Sequence, residues 1–451
     1  MELTKELYDT FENLLKEELQ PAFGCTEPIA IACCAARARE ILGRLPQKVL
    51  VEASGNVIKN VKSVIVPNTG GMKGIPAAAA AGIVAGQASR KLEVIAEVSD
   101  AQREEIADFL KRTQIQVRPL EGGDKLDVRI ALEAEGERAL VRISRSHANI
   151  VREEKNGEVL LDREAEQNEG SEGSGGMEGT GNRGTDGRED GGDGADKRGG
   201  KGALTVEGIV RFAETADLAG IRETLDRQIS CNYSIAQEGI AHDWGANVGS
   251  VLLKTWGDDV RTRAKAMAAA GSDARMSGCE MPVVINSGSG NQGITVSVPV
   301  IVYAQELGSS REDLYRALIV SNLIAIHIKS GIGPLSAFCG AVSAGCAAGC
   351  GIAWLMGGRL EEIAHTLVNS IAIVSGIVCD GAKPSCAGKI ASSVDAGILG
   401  YAMYREGQQF YAEDGLVSKG VENTIRNICR LGTRGMCGTD DEIIRIMTHC
   451  D

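Results

Sequence analysis

The run GIGPLSAFCGAVSAGCAAGCGIAWLMGG, residues 331–358, carries no charge along its whole length, and how it is read decides the fold. It exceeds the ~20 apolar residues that cross a bilayer, so a membrane span is the first reading to weigh. Its composition argues the other way. Gly, Ser and Cys are dense in it, and neither a basic cluster nor an aromatic belt flanks it, whereas membrane spans are anchored by both. A helix that is apolar all round is also what the centre of a large globular core requires. The expectation is therefore a buried central helix, or helix pair, in a chain that does not enter a membrane.

Composition supports a large core built from small residues. Of 451 residues, 43% are hydrophobic but only 4% aromatic, and 57 are Gly. Close helix packing on Ala, Gly, Val and Ile follows. A net charge of -13 argues against a nucleic-acid partner, since nothing offers the basic face that phosphate binding needs. The opening MELTKELYDTFENLL is acidic and amphipathic, unlike a signal peptide. A reducing cytoplasm is expected, where 13 cysteines serve as thiols or metal ligands rather than disulfides.

Working outward, the fold class expected is α+β. N-terminal helices fill residues 1–45, with Leu3, Leu7, Phe11, Leu14 and Leu15 at helical spacing and Thr26 as N-cap of the second helix. An α+β domain covers 46–152. Its β-branched stretches 48–67, 92–98, 115–117 and 126–143 read as strands, its charged stretch 100–112 as a helix, and an alanine-rich helix opens near Pro76. Residues 153–204 read as an insertion. Within it, 14 of the 33 residues at 170–202 are Gly, too few apolar groups to offset the entropy of ordering. Residues 205–451 form a largely helical domain around the Gly/Ala-rich central helices, broken by Gly-rich loops at 286–293 and 380–388.

Three places can carry chemistry. In FGCTEP (23–28), Cys25 precedes a helix start, where free N–H groups and the helix dipole favour a thiolate. It is a candidate base or nucleophile, or else a small turn filler; Cys33 and Cys34 read as core. In NSGSGNQG (286–293), Asn286, Ser287, Gly288, Ser289, Gly290 and Asn291 precede an apolar run, and such turns expose backbone N–H groups to a carboxylate or phosphate. The loop NTGGMKG (68–74), with Asn68, Thr69, Gly70 and Lys73, has the same character, and a pyridoxal-phosphate site could share it. The third place is IVCDGAKPSC (377–386). Cys379 and Cys386 flank a Gly- and Pro-containing turn, open to a disulfide, zinc, an iron–sulfur cluster or plain core packing. Cys339, Cys346 and Cys350 share a helical face if that helix is continuous, yet a cluster needs thiolates from different elements. Cys379, Cys386 and Cys339 meet that condition. The Cys-x6-Cys spacing is not that of a zinc ribbon.

GCTEP (24–28), SGNVIKNVKSVIVPNTGGMKGIPAAAAAG (54–82), NSGSGNQG, AFCG (337–340) and CDGAKPSC (379–386), in this order, resemble L-cysteine desulfidase, within the iron–sulfur L-serine dehydratase alpha-subunit superfamily. The similarity covers nearly the whole chain except about 153–204. It implies a [4Fe-4S] cluster on Cys339, Cys379 and Cys386, Cys25 as proton acceptor, and a lyase turning L-cysteine into pyruvate, ammonia and hydrogen sulfide. The serine dehydratases carry Cys-Asp-Pro-Val and a longer gap to the next cysteine; Gly381 after Cys379-Asp380 and the short gap favour the desulfidase branch. Their substrate loop corresponds to SRSHAN, which implies a substrate role for His147 and Asn149. The expected partner is a small-molecule amino acid, and a homo-oligomer is compatible with the sequence. L-serine dehydration and a non-enzymatic cysteine-rich metal or redox sensor are the alternatives.

Overall fold

Helix α1 (Lys5–Glu18) starts where the Thr4 hydroxyl accepts the Leu7 backbone N–H, and it buries Phe11, Leu14 and Leu15 on one face. After it come strand β1 (Pro21–Phe23) and helix α2 (Thr26–Leu42). Cys25, rather than Thr26, is the N-cap of α2. This computed structural model describes residues 3–62, 64–120, 122–163, 198–333 and 335–448. Of the segment 170–202 expected to be disordered, residues 170–197 lie outside the described residues, while Arg198–Ala203 form a short 3₁₀ helix, which corrects the expectation there.

The α+β class is as the sequence implies. Strand β2 (Lys48–Ala53) is followed by helices α3 (Gly55–Val61), α4 (Gly74–Ala85) and α5 (Asp100–Arg112). Strands β3 (Ile115–Pro119), β4 (Asp127–Ala134), β5 (Glu137–Ser144), β6 (Ile150–Lys155) and β7 (Glu158–Asp162) complete a sheet of order β3-β2-β4-β5-β6-β7. Only β2 and β3 run parallel. One hydrophobic cluster joins this sheet to α2, α4 and α5.

Three local readings are corrected here. GNVIKNV is helix α3, not strand: Val57 and Val61, one helical turn apart, are buried on the same side, so packing overrides β-propensity. Residues 92–98 form no strand. Val94, Ile95 and Val98 are buried, but the Asn68 amide donates to the Ile95 and Ala96 carbonyls at 2.8 and 3.2 Å, where a strand would. Sheet also extends ten residues past the expected boundary at 153, because β6 and β7 are joined at Asn156-Gly157, both at positive φ. Asn-Gly is a strong hairpin signal.

The second half is helical: α6 (Val206–Thr215), α7 (Arg222–Ala241), α8 (Val248–Trp256), α9 (Val260–Met276), then strand β8 (Pro282–Val284), α10 (Gly290–Glu306), α11 (Arg311–Ile332), α12 (Gly340–Leu355), α13 (Leu360–Val374), α14 (Cys386–Arg405), α15 (Val421–Arg430) and α16 (Cys437–Thr448). The opening run divides into the end of α11, a loop and α12, which is buried from Ala341 to Trp354. Its glycines are contact points. A Cβ on Gly345 would lie 2.4 Å from the Ser393 backbone of α14, and one on Gly349 2.5 Å from the Gly397 carbonyl. Among the described residues, no helix is long and apolar enough to cross a membrane.

Candidate functional site

Two short pairings assemble the site. β1 and β8 pair antiparallel, Pro21 opposite Val284. This sets the turn before Cys25 beside the loop that begins at Asn286. Gly24 makes the turn possible: its φ is +61°, and a Cβ there would lie 2.5 Å from the Pro67 ring. The Thr26 hydroxyl then donates to the Gly288 carbonyl at 3.1 Å, locking one loop to the other.

The second pairing joins Phe338 and Val378 as an isolated antiparallel bridge. The Cys339 N–H donates to the Ile377 carbonyl at 2.9 Å, and the Cys379 N–H to the Ala337 carbonyl at 2.7 Å. Cys339 is also the N-cap of α12, and Cys386 opens α14. Between them Gly381 passes so near α3 that a Cβ would lie 2.8 Å from the Lys59 carbonyl. The three cysteines therefore come from three element ends and face a common cavity of about 110 Å³. A buried water needs only ~10–15 Å³, so there is room for a small organic molecule.

The thiol end of this cavity is electrically biased. The Cys379 thiol is pulled down to about 6 by the Cys339 thiol hydrogen-bonded to it, against burial, with help from the Gly381 N–H and the nearby Lys59 and Lys329 ammonium groups. Cys339 is driven up by the same partnership and by burial, and Cys386 by burial. Lys59 reaches the Cys379 carbonyl at 3.4 Å and pairs with Asp440 of α16 at 2.6 Å. Lys329 has its ammonium destabilised by burial, while the Cys379 and Cys339 sulfurs oppose this.

Cys25 is buried with its thiol 3.8 Å from the Met276 sulfur, and Ala382 of the Cys379–Cys386 loop packs against it. The helix start does not lower it: burial pushes it up to about 12, outweighing Arg275. Desolvation of a thiolate exceeds what the helix dipole returns. His147 also lines the cavity, and burial lowers its pKa, so its ring is held neutral.

Five buried polar atoms in the cavity-lining residues have no hydrogen-bond partner: Asn56 Oδ1, Asn60 Oδ1, His147 Nε2, Arg275 Nε and Gln292 Oε1. Buried polar groups are nearly always satisfied. Five orphans around one space make it the candidate binding site.

The expected residues divide. Cys25, Cys339, Cys379, Cys386, His147, Ser287, Gly288, Ser289 and Asn291 line the cavity. Gly290 does not, but it begins α10, where a Cβ would lie 2.3 Å from Arg275 Nε. Asn286 is fully buried and hydrogen-bonded to Asn322 at 2.9 Å. Asn149 is tied to the Ser144 carbonyl at 3.0 Å. The 68–73 loop stays outside the wall: Asn68 serves the 95–96 carbonyls, Thr69 donates to the Val66 carbonyl at 2.7 Å, and Gly70 and Lys73 do not line the cavity. Cys346 and Cys350 face the core, Cys350 donating to the Ile363 carbonyl at 3.7 Å. Sequence reasoning missed Glu27, Asn56, Lys59, Asn60, Arg275 and Lys329. The legible sign was a cation or amide inside an otherwise apolar helix, as in IAIHIKSG.

Among the described residues, no three His, Cys, Asp or Glu side chains converge on a single-ion site. A model of the serine dehydratase alpha chain family matches residues 89–445, and the chain belongs to that family. It is 55% identical over 449 residues to a "UPF0597 protein" of Desulfitobacterium hafniense, covering 100% of this chain and 99% of that one. A protein of the same name from Lachnoclostridium phytofermentans is 46% identical over 443 residues (98% and 100% covered), and one from Finegoldia magna 45% over 439 (97% and 99%). The first of these matches spans essentially the whole chain, so it takes in Cys25, Glu27 and α3, which lie outside the family match.

Proposed function

We propose that the chain is a carbon–sulfur lyase that breaks L-cysteine down to pyruvate, ammonia and hydrogen sulfide in the cytoplasm. L-serine dehydration is the second reading, favoured by the family description. The observation that carries the proposal is the meeting of three cysteines, a fourth buried cysteine and the unpartnered polar atoms around one cavity.

The donor set suits a [4Fe-4S] cluster. Such clusters are held by thiolates, and four irons accept sulfurs set wider apart than one ion's ~2.3 Å bonds allow. Cys339, Cys379 and Cys386 would hold it, with Lys59 and Lys329 offsetting its charge. When bound, three protein ligands would leave an iron as Lewis acid for the departing β-substituent.

Other steps fall to the chain's own residues. The loop at 287–291 would orient the substrate. Cys25 would take the α-proton. A thiol at about 12 keeps its proton at neutral pH, so added positive charge must release it. Arg275 and Lys383 already pull it down, and a substrate ammonium beside it would pull further. His147, neutral in the same wall, is an acceptor for that proton.

The test is anaerobic pyruvate release from L-cysteine and L-serine by wild type and Cys25→Ser, with iron measured in both. About four irons per chain, a faster rate with L-cysteine, and loss of most turnover in the variant with its iron kept are expected. A faster rate with L-serine moves the assignment to dehydration. Iron without product from either amino acid indicates the sensor.

A further inference from the structure

Two groups of polar atoms in the cavity wall have complementary chemistry. On α3, Asn56 and Asn60 stand four residues apart, on one helical face. Both leave a carbonyl oxygen without a donor, and both line the cavity. Asn60 also donates to Glu27 Oε1 at 2.8 Å, so the Glu27 carboxylate is fixed beside them. Three acceptors, one of them charged, gather there.

Donors gather at the first turn of the 17-residue helix α10. Arg275, only 5% exposed, donates through Nη1 to Asn291 Oδ1 at 3.0 Å, while its Nε has no partner. The guanidinium lies over Gly290, where a side chain would occupy its place. Ser289, the N-cap, makes no side-chain cap, so the first-turn N–H groups stay open. Gln292 in the same turn, 6% exposed, leaves its amide oxygen without a donor, an acceptor that does not join this donor set. Arg275 and Glu27 both act electrostatically on His147 and on Cys25. Among the described residues they form no ion pair with each other, since each is held by an amide partner. Arg275 is buried and Glu27 half-buried, and a buried charge without an ionic partner is costly.

We infer that this cavity reads a zwitterion: Arg275 and the α10 N-terminus bind the carboxylate of a small α-amino acid, and Glu27 with Asn56 and Asn60 binds its ammonium group. The assignment rests on the lyase reading for its substrate class and adds the residues that select it.

The experiment uses ligands that carry both charges or one of them and have no leaving group. L-alanine, propionate and ethylamine are titrated calorimetrically into the full chain purified without oxygen. Wild type should bind L-alanine about tenfold or more tighter than either partial analogue, since a charge-assisted hydrogen bond contributes about that factor. Arg275→Gln should weaken L-alanine and propionate by about tenfold or more and leave ethylamine unchanged. Glu27→Gln should weaken L-alanine and ethylamine and leave propionate unchanged. Should either variant fail to fold, Arg275→Lys and Asn56→Leu read the same two ends, and thermal unfolding reports integrity. Equal losses for all three ligands, or L-alanine binding no tighter than propionate, overturns the inference. No measurable L-alanine binding by wild type also overturns it. The crossed pattern without pyruvate release rejects the reaction and keeps the zwitterion site; pyruvate release without the pattern does the reverse.

Discussion

Lys59 lines the cavity from α3, and its only carboxylate partner among the described residues is Asp440 of α16, 2.6 Å away with side chains 2% and 9% exposed. Replacing Asp440 by Leu removes the anion and leaves a buried ammonium with a carbonyl at 3.4 Å. Breaking a buried pair from one side costs about 3–5 kcal/mol. Against that stand the other contacts that dock α16. Lys62 donates to the Met447 carbonyl at 2.6 Å, about 1 kcal/mol. Half-buried Ile444 packs where a Cβ on Gly55 would lie 2.6 Å away, about 1–2 kcal/mol. The loss matches or exceeds these two contacts together, so α16 should loosen locally while the rest stays folded. Hydrogen exchange read by mass spectrometry should show residues 437–448 losing protection in Asp440→Leu. The double variant Lys59→Met with Asp440→Leu should regain most of it, because no unpaired charge is left. Unchanged protection in the single variant, or a double variant as loose as the single one, would refute the reasoning.

Cys339→Ser, Cys379→Ser and Cys386→Ser should each lower iron content after anaerobic purification, whereas Cys346→Ser and Cys350→Ser, facing the core, should retain it; equal loss from all five contradicts the ligand set. Burial lowers the pKa of His147 in the folded protein below its ordinary 6.5, so the unfolded chain binds the extra proton. Stability should fall as pH drops below about 6.5, and His147→Gln should flatten that slope in urea titrations at pH 5, 6 and 7; parallel slopes refute it. Gly349→Ala would force a methyl against the Gly397 carbonyl 2.5 Å away. It should cost about 1–3 kcal/mol by chemical denaturation, and a neutral result would mean that α12 and α14 can move apart freely.

Much of this protein is legible along the chain, and the limit of legibility has a physical cause. Local pattern suffices where a residue's role is set within a turn or two. The charged helix α5, the amphipathic α1, and the buried reading of residues 331–358 all follow from spacing and composition. So does the proposal that Cys379 and Cys386 wrap a site with Cys339, since ligands must converge from separate elements. Local pattern misleads where long-range packing decides. The β-branched 57–61 stretch is helical because its buried face meets a core, and 92–98 is not a strand because a side chain 27 residues upstream takes its carbonyl. The loop at 68–73 resembles the one at 286–291 in composition, yet only the second is placed by β1 and β8 against the cavity. Cys25 sits at a helix start, as its neighbours indicate, but its affinity for a proton depends on depth of burial, which no local pattern encodes. Glu27, Asn60, Arg275 and Lys329 come from four helices far apart in sequence. Only folding determines which polar groups are left without partners around one space, because an unsatisfied atom is defined by its whole surroundings and not by its neighbours in the chain.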